Sequence, residues 1–393
     1  MPQLSRRTLA TLLAATAIGR AQAQQAPAQP AQAQAQAQTQ AGPAATPAAP
    51  ADASALTQVA TFEQQVTGIA VSPAGRIFVN FPRWEQDVEM SVAEVMKDGS
   101  LRPYPDAEWN AWRNLKPLSR GDHFVCVQSV TVDPQGFLWV VDPAAPGNEF
   151  NLEGGPKLVK IDLRNDKVAQ VIRFGRDTVP QGSYLNDVRV SPDGRWAYLT
   201  DSGVRGALLV VDLRTGKPRR VLDGHPSTQV EPGVIVHTDG QELRRPDNRE
   251  VKFSADGIAL DRQGRFLYWQ ALTGRTLYRV PANILNNPAV APARLAAAVQ
   301  RVGITGVADG LWMDGKGNLW VTSPEEDALK LRAPDGTMRT VVQDKRLRWP
   351  DSLAEGPDGA IYVTSSHIQD MAQWHEKGST RTEPYALWKV AGQ

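Results

Sequence analysis

The chain has 393 residues, with 43 Lys and Arg against 42 Asp and Glu, a formal net charge of +1 and one cysteine. The balanced charge gives no indication of a nucleic-acid partner, and a single cysteine excludes an intrachain disulfide. The length allows one large domain or two ordinary ones.

The first 23 residues have the features of an export signal. Arg6 and Arg7 form a twin-arginine pattern, an apolar stretch runs from Leu9 to Ile18, and Ala21-Gln22-Ala23 fits a small-residue cleavage site. The apolar stretch is too short to cross a bilayer as a helix. We therefore expect export to the periplasm or secretion, with no membrane insertion of the mature chain; the alternative is a disordered tail.

Residues 24–55 consist mainly of Ala, Gln and Pro and carry almost no charge. Such a segment cannot bury enough apolar surface to offset its chain entropy, so a disordered linker is expected. Residues 56–393 differ from this linker, because one sequence motif, here called the phrase, recurs in them six times. Each phrase is a short apolar strand, a turn that ends in glycine and a second strand with an aromatic residue. The turn glycines are Gly75, Gly136, Gly194, Gly264, Gly317 and Gly359.

The repeated phrase predicts an all-β fold. Third strands follow each phrase, for example Leu208–Val211, and fourth strands are visible in several units, for example Met338–Val342. Four-stranded units at this spacing are typical of propeller blades. We therefore predict a six-bladed β-propeller over residues 56–393. Little sequence remains after Val390 for a fourth strand, so Gln58–Phe62 is expected to complete the last blade and close the ring.

Eight residues before each turn glycine stands a side chain that carries an oxygen atom: Thr67, Gln128, Asn186, Asp256, Asp309 and Asp351. Because the innermost strands of a propeller line its central channel, these six residues should surround one mouth of that channel. Three neighbouring carboxylates would repel one another in a partly desolvated pore, so either some are protonated or a cation binds there. Each residue taken singly could instead close a turn.

The cation could be a metal ion or an ammonium group. An all-oxygen set suits Ca²⁺ or Mg²⁺, and no zinc-binding histidine pattern occurs. An amine ligand would also need aromatic walls, for which Trp84, Trp109, Trp112 and Trp374 are candidates. No phosphate loop or dinucleotide fingerprint is present, so no nucleotide cofactor is expected.

Several segments resemble the yellow / major royal jelly protein family. They are Pro82-Arg83-Trp84, Pro103-Tyr104-Pro105, Tyr198–Ser202 and Trp349–Ser352. The resemblance spans nearly the whole mature chain. It implies a secreted six-bladed propeller linked to dopachrome conversion, to binding of small amines or to no known catalysis. The paired cysteines of insect members are absent.

A more distant resemblance is to gluconolactonase / senescence-marker propellers, whose matching phrases place a Glu, an Asn and an Asp on one divalent metal. Asn186 and Asp256 match the Asn and the Asp, which makes them the candidate metal ligands, but the Glu position holds Thr67. This departure weakens a transfer of lactonase chemistry.

The candidate catalytic residues are Asp256 and Asp309. The candidate ligand-binding residues are Thr67, Gln128, Asp187, Asp351 and Arg83. Asp187 could equally be a turn residue and Arg83 a structural partner of a carboxylate. The segment from Ser365 to Pro384 could form a lid, in which His367 or His375 could act as a base.

Three functions remain open on this sequence. The first is a monomeric propeller that binds a small aromatic or amine ligand and isomerises it, with an aspartate or a divalent cation such as Ca²⁺ assisting. The second is a metal-dependent lactonase. The third is a non-catalytic interaction scaffold.

Overall fold

The computed structural model describes residues 55–116 and 118–393. The predicted export signal and residues 24–54 of the predicted linker lie outside these residues. Within the described residues, six four-stranded antiparallel sheets follow one another along the chain. The first strand, β1 (Leu56–Phe62), belongs to the last of these sheets.

The first three sheets are each built from four consecutive strands. Sheet 1 contains β2 (Ile69–Val71), β3 (Ile77–Asn80), β4 (Val92–Val95) and β5 (Leu101–Pro103). Sheet 2 contains β6 (Ser129–Val132), β7 (Phe137–Asp142), β8 (Lys157–Asp162) and β9 (Lys167–Arg173). Sheet 3 contains β10 (Leu185–Val190), β11 (Trp196–Asp201), β12 (Ala207–Asp212) and β13 (Lys217–Val221).

A small hairpin, β14 (His237–Thr238) and β15 (Gln241–Glu242), separates sheets 3 and 4. Sheet 4 contains β16 (Ala255–Leu260), β17 (Phe266–Ala271), β18 (Thr276–Pro281) and β19 (Gln300–Ile304). Sheet 5 contains β20 (Leu311–Met313), β21 (Leu319–Ser323), β22 (Ala328–Arg332) and β23 (Met338–Gln343). Sheet 6 contains β24 (Pro350–Glu355), β25 (Ile361–Ser365), β26 (Tyr385–Val390) and β1.

The helices of the described residues are short. Two α-helices, α1 (Ala282–Asn286) and α2 (Pro292–Ala297), connect β18 to β19. The 3₁₀ turns are Pro146–Asn148, Pro226–Thr228, Lys345–Leu347, Ile368–Asp370 and Ala372–Trp374. None of these helices reaches the length and apolarity that a membrane span requires.

The sheets form a closed ring, and the six-bladed propeller is confirmed. β1 pairs antiparallel with β26, from Leu56 opposite Val390 to Phe62 opposite Tyr385, so the start of the described chain completes the last blade. The first strands of consecutive sheets contact one another in a cycle that returns from β24 to β2. Closure leaves no unpaired edge between the first and last blades.

The apolar core lies between neighbouring sheets. Trp139 and Val141 of sheet 2 pack with Val188 and Leu199 of sheet 3, and all four side chains are buried. Equivalent layers fill the other gaps around the ring. Because each layer joins two sheets, the inner strands are held at a fixed radius around the channel.

Polar side chains of the second strands also connect neighbouring sheets. Thr200 Oγ1 in sheet 3 donates to the Asp256 carbonyl oxygen at 2.6 Å, and Thr364 Oγ1 in sheet 6 donates to the Thr67 carbonyl oxygen at 2.6 Å. Asn80 Nδ2 in sheet 1 donates to the Val127 carbonyl oxygen at 3.0 Å. These bonds satisfy buried carbonyl groups and fix the backbone at the start of the next inner strand.

Two long connections meet on one face of the propeller. One spans residues 229–254 and carries the β14–β15 hairpin, and the other spans residues 366–384. Val236 and Leu243 of the first segment share an apolar cluster with Ile368, Met371 and Trp374 of the second. We call these two segments the cover, because both contribute side chains to the cavity described next.

Candidate functional site

A cavity of about 250 Å³ lies on the covered face, where the inner strands begin. Its deep end is formed by buried polar side chains from sheets 2 to 6. These are Gln128, Asn186, Asp256, Asp309 and Asp351. The structure thus brings together five of the six oxygen-bearing residues that were expected at one channel mouth.

Apolar and aromatic side chains form the walls of the cavity. They are Trp84, Tyr184, Phe253, Leu272, Trp349, Ile368 and Met371. Charged side chains lie at the solvent-facing end, where Glu149 and Lys252 are exposed and Arg245 is half-buried. A small apolar cavity with a few convergent polar groups is the usual form of a ligand site.

The Asp256 and Asp309 carboxyl groups hydrogen bond to each other. Burial raises the pKa of Asp309 to about 7. Burial, together with the charges of Asp309, Asp187 and Asp351, raises the pKa of Asp256 well above its ordinary value. The pair therefore holds one proton near neutral pH, because two buried carboxylates in contact cannot both ionise at low cost.

Asp351 is the third carboxyl group of the cluster. Burial and the charge of Asp309 raise its pKa well above the ordinary value, although hydrogen bonds from Ser366 and Ser352 oppose this shift. Ser352 Oγ donates to Asp351 Oδ1 at 3.0 Å. The deep end of the cavity is therefore acidic and buried, which favours a ligand that brings positive charge or hydrogen-bond donors.

The opposite side of the deep end is a chain of neutral hydrogen bonds. Trp84 Nε1 donates to the Tyr184 hydroxyl at 2.7 Å, and that hydroxyl donates to Gln128 Oε1 at 2.8 Å. Gln128 Nε2 donates to Asn186 Oδ1 at 3.3 Å, and Asn186 Nδ2 donates to Ser202 Oγ at 3.1 Å. This chain fixes the orientation of both amides and joins the aromatic wall to the polar end.

Thr67 differs from the expectation, because it lies outside the cavity. Its side chain is fully buried, its hydroxyl donates to the Gln128 carbonyl oxygen at 2.8 Å, and it accepts from Asn80 Nδ2 at 2.8 Å. The bond to Gln128 connects sheet 1 to sheet 2, and the bond from Asn80 lies within sheet 1. Thr67 therefore supports the position of Gln128 and presents no ligand-binding group.

Arg83 also has a structural environment. Its guanidinium is buried and donates to the Asp87 carboxylate, to Ser91 Oγ and to backbone carbonyl oxygens, among them those of Val125 at 2.7 Å and Trp112 at 2.8 Å. The group satisfies carbonyls of three segments. The interpretation of Arg83 as an anion-binding side chain is not supported, and its alternative as a structural partner fits this geometry.

Asp187 is buried beside Arg189 and does not line the cavity. Its Oδ2 lies 3.8 Å from Arg189 Nη2, and burial raises the pKa of Asp187 although Arg189 opposes the shift. Arg189 Nη2 also donates at 2.7 Å to the Leu311 carbonyl oxygen, two sheets away. Asp187 thus belongs to a pair inside the channel that acts on the carboxyl cluster only through its charge.

The lid histidines and the candidate tryptophans mostly lie elsewhere. His367 is buried 3.4 Å from the Asp370 carboxylate, and His375 Nε2 lies 2.8 Å from the Gln369 carbonyl oxygen; neither lines the cavity. Trp84 is part of the wall, whereas Trp374 packs behind it in the cover. Trp109 and Trp112 belong to other apolar clusters.

Three aromatic residues of the wall were not among the predicted site residues: Tyr184, Phe253 and Trp349. Tyr184 stands two residues before Asn186 and Trp349 two residues before Asp351, each just ahead of an inner strand. An aromatic residue at that offset is therefore a signal that could have found two of the three. Phe253 has no comparable signal, because its segment carries no repeat.

The residues present do not fit the three-ligand metal site that the gluconolactonase resemblance implies. The Thr67 hydroxyl already donates to a backbone carbonyl, and Asn186 Oδ1 accepts from Gln128. Within residues 55–116 and 118–393, no three His, Cys, Asp or Glu side chains form a group that could hold a metal ion. Two of the three expected ligands therefore meet in the cavity without the third.

The fold and the cavity together define a six-bladed β-propeller with an acidic cavity, of the form usual for ligand sites, at one mouth of its central channel. Residues 125–383 match the Major royal jelly protein family, and the chain belongs to that family. A comparison with curated proteins gave no match.

Solved propellers have a similar fold. A gluconolactonase from Xanthomonas campestris aligns with a TM-score of 0.53 at 13% identity, covering 88% of this chain and 97% of that one. Regucalcin from Agrobacterium tumefaciens, a calcium-binding protein, aligns with a TM-score of 0.50 at 15% identity, covering 85% and 93%. At these identities the similarity extends to the fold alone.

Proposed function

We propose that this protein binds a small aromatic ligand with an amine or other proton-donating group and catalyses its dopachrome-type isomerisation. The observation that carries the proposal is the hydrogen-bonded Asp256–Asp309 pair at the end of an aromatic-walled cavity. A volume of about 250 Å³ is below the roughly 300–1,000 Å³ typical of pockets for drug-sized ligands. The ligand is accordingly about one ring system with a short substituent.

The carboxyl pair has the chemistry that tautomerisation needs. Ionised Asp309 accepts a proton from a ligand carbon, and the electron pair of the broken C–H bond moves into the conjugated ring. Protonated Asp256, which is adjacent to Asp309, donates its proton to a neighbouring atom of the same conjugated system, so neither oxidant nor reductant is consumed. The pair then resets itself, because a proton can pass from Asp309 to Asp256 along their hydrogen bond. A base that titrates near pH 7 is well suited to this task.

Binding of an amine follows from the same groups. Among the described residues, no cationic side chain forms a hydrogen bond to Asp256, Asp309 or Asp351. A bound ammonium group would therefore compensate the negative charge of these buried carboxyl groups. Aromatic faces such as those of Trp84 and Trp349 would add cation–π attraction of about 0.5–2 kcal/mol.

A metal-dependent lactonase is the second candidate, and the observation in its favour is that Asn186 and Asp256 line the same cavity. The position of Thr67 weighs against it. A non-catalytic scaffold is the third candidate, and it would give no response to small ligands.

Thermal shift and turnover assays separate these candidates. The mature domain is titrated with dopamine, with Ca²⁺ and with lactones, and its conversion of dopachrome is followed. We expect stabilisation by dopamine without Ca²⁺, and dopachrome conversion that is lost in Asp309→Asn. Asp314→Asn is the matched control, because Asp314 is also a buried aspartate that accepts from an indole, Trp320 Nε1 at 3.0 Å, and it lies outside the cavity. Ca²⁺-dependent lactone turnover would contradict the proposal.

A further inference from the structure

Trp349 has a backbone conformation that a bulky residue rarely adopts. Its φ is +50°, in the left-handed region, and its side chain is fully buried. This conformation costs a non-glycine residue about 1–2 kcal/mol. Such residues persist only where their surroundings hold them, and they concentrate at functional sites.

The neighbours of Trp349 account for its persistence. Its carbonyl oxygen accepts from the Ser366 amide at 3.0 Å. The preceding residue, Arg348, binds two carboxylates of the cover, with Nη2 at 2.7 Å from Asp239 Oδ2 and at 2.7 Å from Asp370 Oδ1. The indole ring packs in the apolar cluster of the cover with Met371 and its neighbours. The cover therefore fixes both the backbone and the ring of Trp349.

This position aims the indole at the carboxyl pair. Trp349 Nε1 donates to Asp309 Oδ2 at 2.6 Å. An indole N–H can only donate, so the bond favours the ionised form of Asp309. Within the part of the chain that the structure describes, Asp256 has no equivalent donor, and its Oδ1 is buried without a hydrogen-bond partner. The two carboxyl groups are thus unequal in a way that the fold imposes.

We infer that Trp349 is a positioning residue that makes Asp309 the ionised member of the pair and leaves the shared proton on Asp256. The inference rests on the proposed function, in which it assigns the base to Asp309 and the acid to Asp256. Trp349 acts through Asp309, and its bond specifies the direction in which the proton moves.

Two contacts lower the pKa of Asp309: the Trp349 hydrogen bond is the larger, and the hydrogen bond with Asp256 of sheet 4 is the smaller. The charge of Asp187 from sheet 3 raises the Asp309 pKa, and Asp351 approaches from sheet 6 as a further acidic group whose own pKa the charge of Asp309 raises. Arg245, Lys252 and Glu149 lie at the solvent-facing end of the cavity. The Trp349 hydrogen bond opposes the effect of burial on the Asp309 pKa, in agreement with the geometry.

The test removes the N–H group and follows the carboxyl group directly. Aspartate is labelled with ¹³C at the carboxyl carbon, and the Asp309 signal is assigned by its loss in Asp309→Asn. In the wild type we expect a titration midpoint near 7. In Trp349→Phe the midpoint should rise by about one pH unit. An unchanged midpoint in the folded variant would overturn the inference.

Two further variants test whether a shift of the Asp309 midpoint has a purely structural cause. Replacement of Trp349 by 3-benzothienylalanine keeps the ring size and removes only the N–H donor, so the fold is retained and the midpoint should rise equally. Trp139→Phe removes another buried indole donor, which binds Asp133 Oδ2 at 2.7 Å. It should lower stability without moving the Asp309 midpoint, and a comparable shift in this control would overturn the inference.

The titration needs no ligand, so its outcome is independent of the proposed function. A shifted midpoint in a protein that ignores dopamine and dopachrome would support the role of Trp349 and refute the isomerase. Dopachrome turnover together with an unchanged Asp309 midpoint would support the isomerase and refute the role of Trp349. In an active protein, the rise of the Asp309 midpoint should appear as an equal shift of the acidic limb of the kcat/KM profile, because kcat/KM reports ionisation of the free protein.

Discussion

The Gly257 backbone lies so close to Asp309 that a Cβ atom at position 257 would be 2.3 Å from the Asp309 carbonyl oxygen. Gly310 has the same relation to Asp351, with a distance of 2.1 Å. Each glycine follows an aspartate of the carboxyl cluster in sequence. The absence of a side chain therefore lets neighbouring inner strands approach closely enough to bring the three carboxyl groups together.

Gly257→Ala should separate Asp256 from Asp309, because the new methyl group meets a backbone atom that cannot rotate away. We expect a loss of about 2–4 kcal/mol in unfolding free energy, with the Asp309 titration displaced and dopamine binding weakened at least tenfold. Chemical denaturation and calorimetric titration measure the two effects.

The matched control for this change is Gly155→Ala. A Cβ atom at position 155 would lie 2.5 Å from the Ala144 Cβ atom and 2.9 Å from the Leu152 carbonyl oxygen, outside the cavity. It should lower stability and leave the dopamine affinity of the folded protein unchanged. Equal loss of affinity in both variants would contradict the account.

Stability should fall as the pH rises from about 5 to 8. The folded protein holds the Asp309 proton up to about pH 7, whereas the unfolded chain releases it near 3.8. Deprotonation therefore favours the unfolded state, and the free energy of unfolding falls as the pH rises through this range. Asp309→Asn should reduce the fall by about 2–3 kcal/mol, at 1.36 kcal/mol for each pKa unit. Urea unfolding at several pH values measures the difference, and parallel curves for the two proteins would exclude a raised Asp309 pKa.

Arg83→Met should lower stability without affecting the cavity. The guanidinium satisfies buried carbonyl groups, including those of Val88 and Trp112, and its loss should cost about 2–4 kcal/mol. Arg164→Met is the control, because Arg164 is 76% exposed in its ion pair with Asp162 and its removal should leave stability nearly unchanged. Weaker ligand binding by a fully stable Arg83→Met protein would instead restore Arg83 as a ligand-binding residue.

Tyr184→Phe tests the neutral side of the site. The hydroxyl joins Trp84 to Gln128, and burial raises the Tyr184 pKa well above its ordinary value, so the group stays neutral. Its loss leaves a donor and an acceptor unpaired beside the ligand. We expect a five- to tenfold loss of dopamine affinity, or about 1–1.4 kcal/mol.

Tyr198→Phe is the corresponding control. It breaks a 2.8 Å bond from a buried tyrosine hydroxyl to Asn286 Oδ1 outside the cavity. The variant should keep its dopamine affinity, and a loss equal to that of Tyr184→Phe would show a general effect of stability on binding.

The propeller could be predicted from sequence because its signals are local. A turn such as Ser72–Gly75 combines a hydrogen-bonding side chain with a glycine at positive φ, here +78°. The glycine recurs in all six blades and the hydrogen-bonding side chain in five, because Gly356 holds that position in the sixth. The convergence of Asn186, Asp256 and Asp309 followed from the same repetition, since equivalent positions of a closed ring face one axis.

The remaining features depend on contacts that no repeat encodes. Thr67 occupies the repeated position, yet its hydroxyl donates to the Gln128 carbonyl oxygen and forms an interblade contact. Trp349 has a sequence signal, but its orientation depends on the cover, which holds its unusual backbone, and Phe253 comes from a segment without periodicity. The sharing of a proton by Asp256 and Asp309 depends on burial and distance, which sequence position alone does not supply.

The measurement that tests the central claim most directly is the rate of dopachrome conversion by the wild type, Asp309→Asn and Asp314→Asn at pH 7. We expect conversion well above the buffer rate for the wild type and Asp314→Asn, with at least a hundredfold loss in Asp309→Asn. Full activity of a folded Asp309→Asn protein would contradict the assignment of the carboxyl pair as the proton-transfer site.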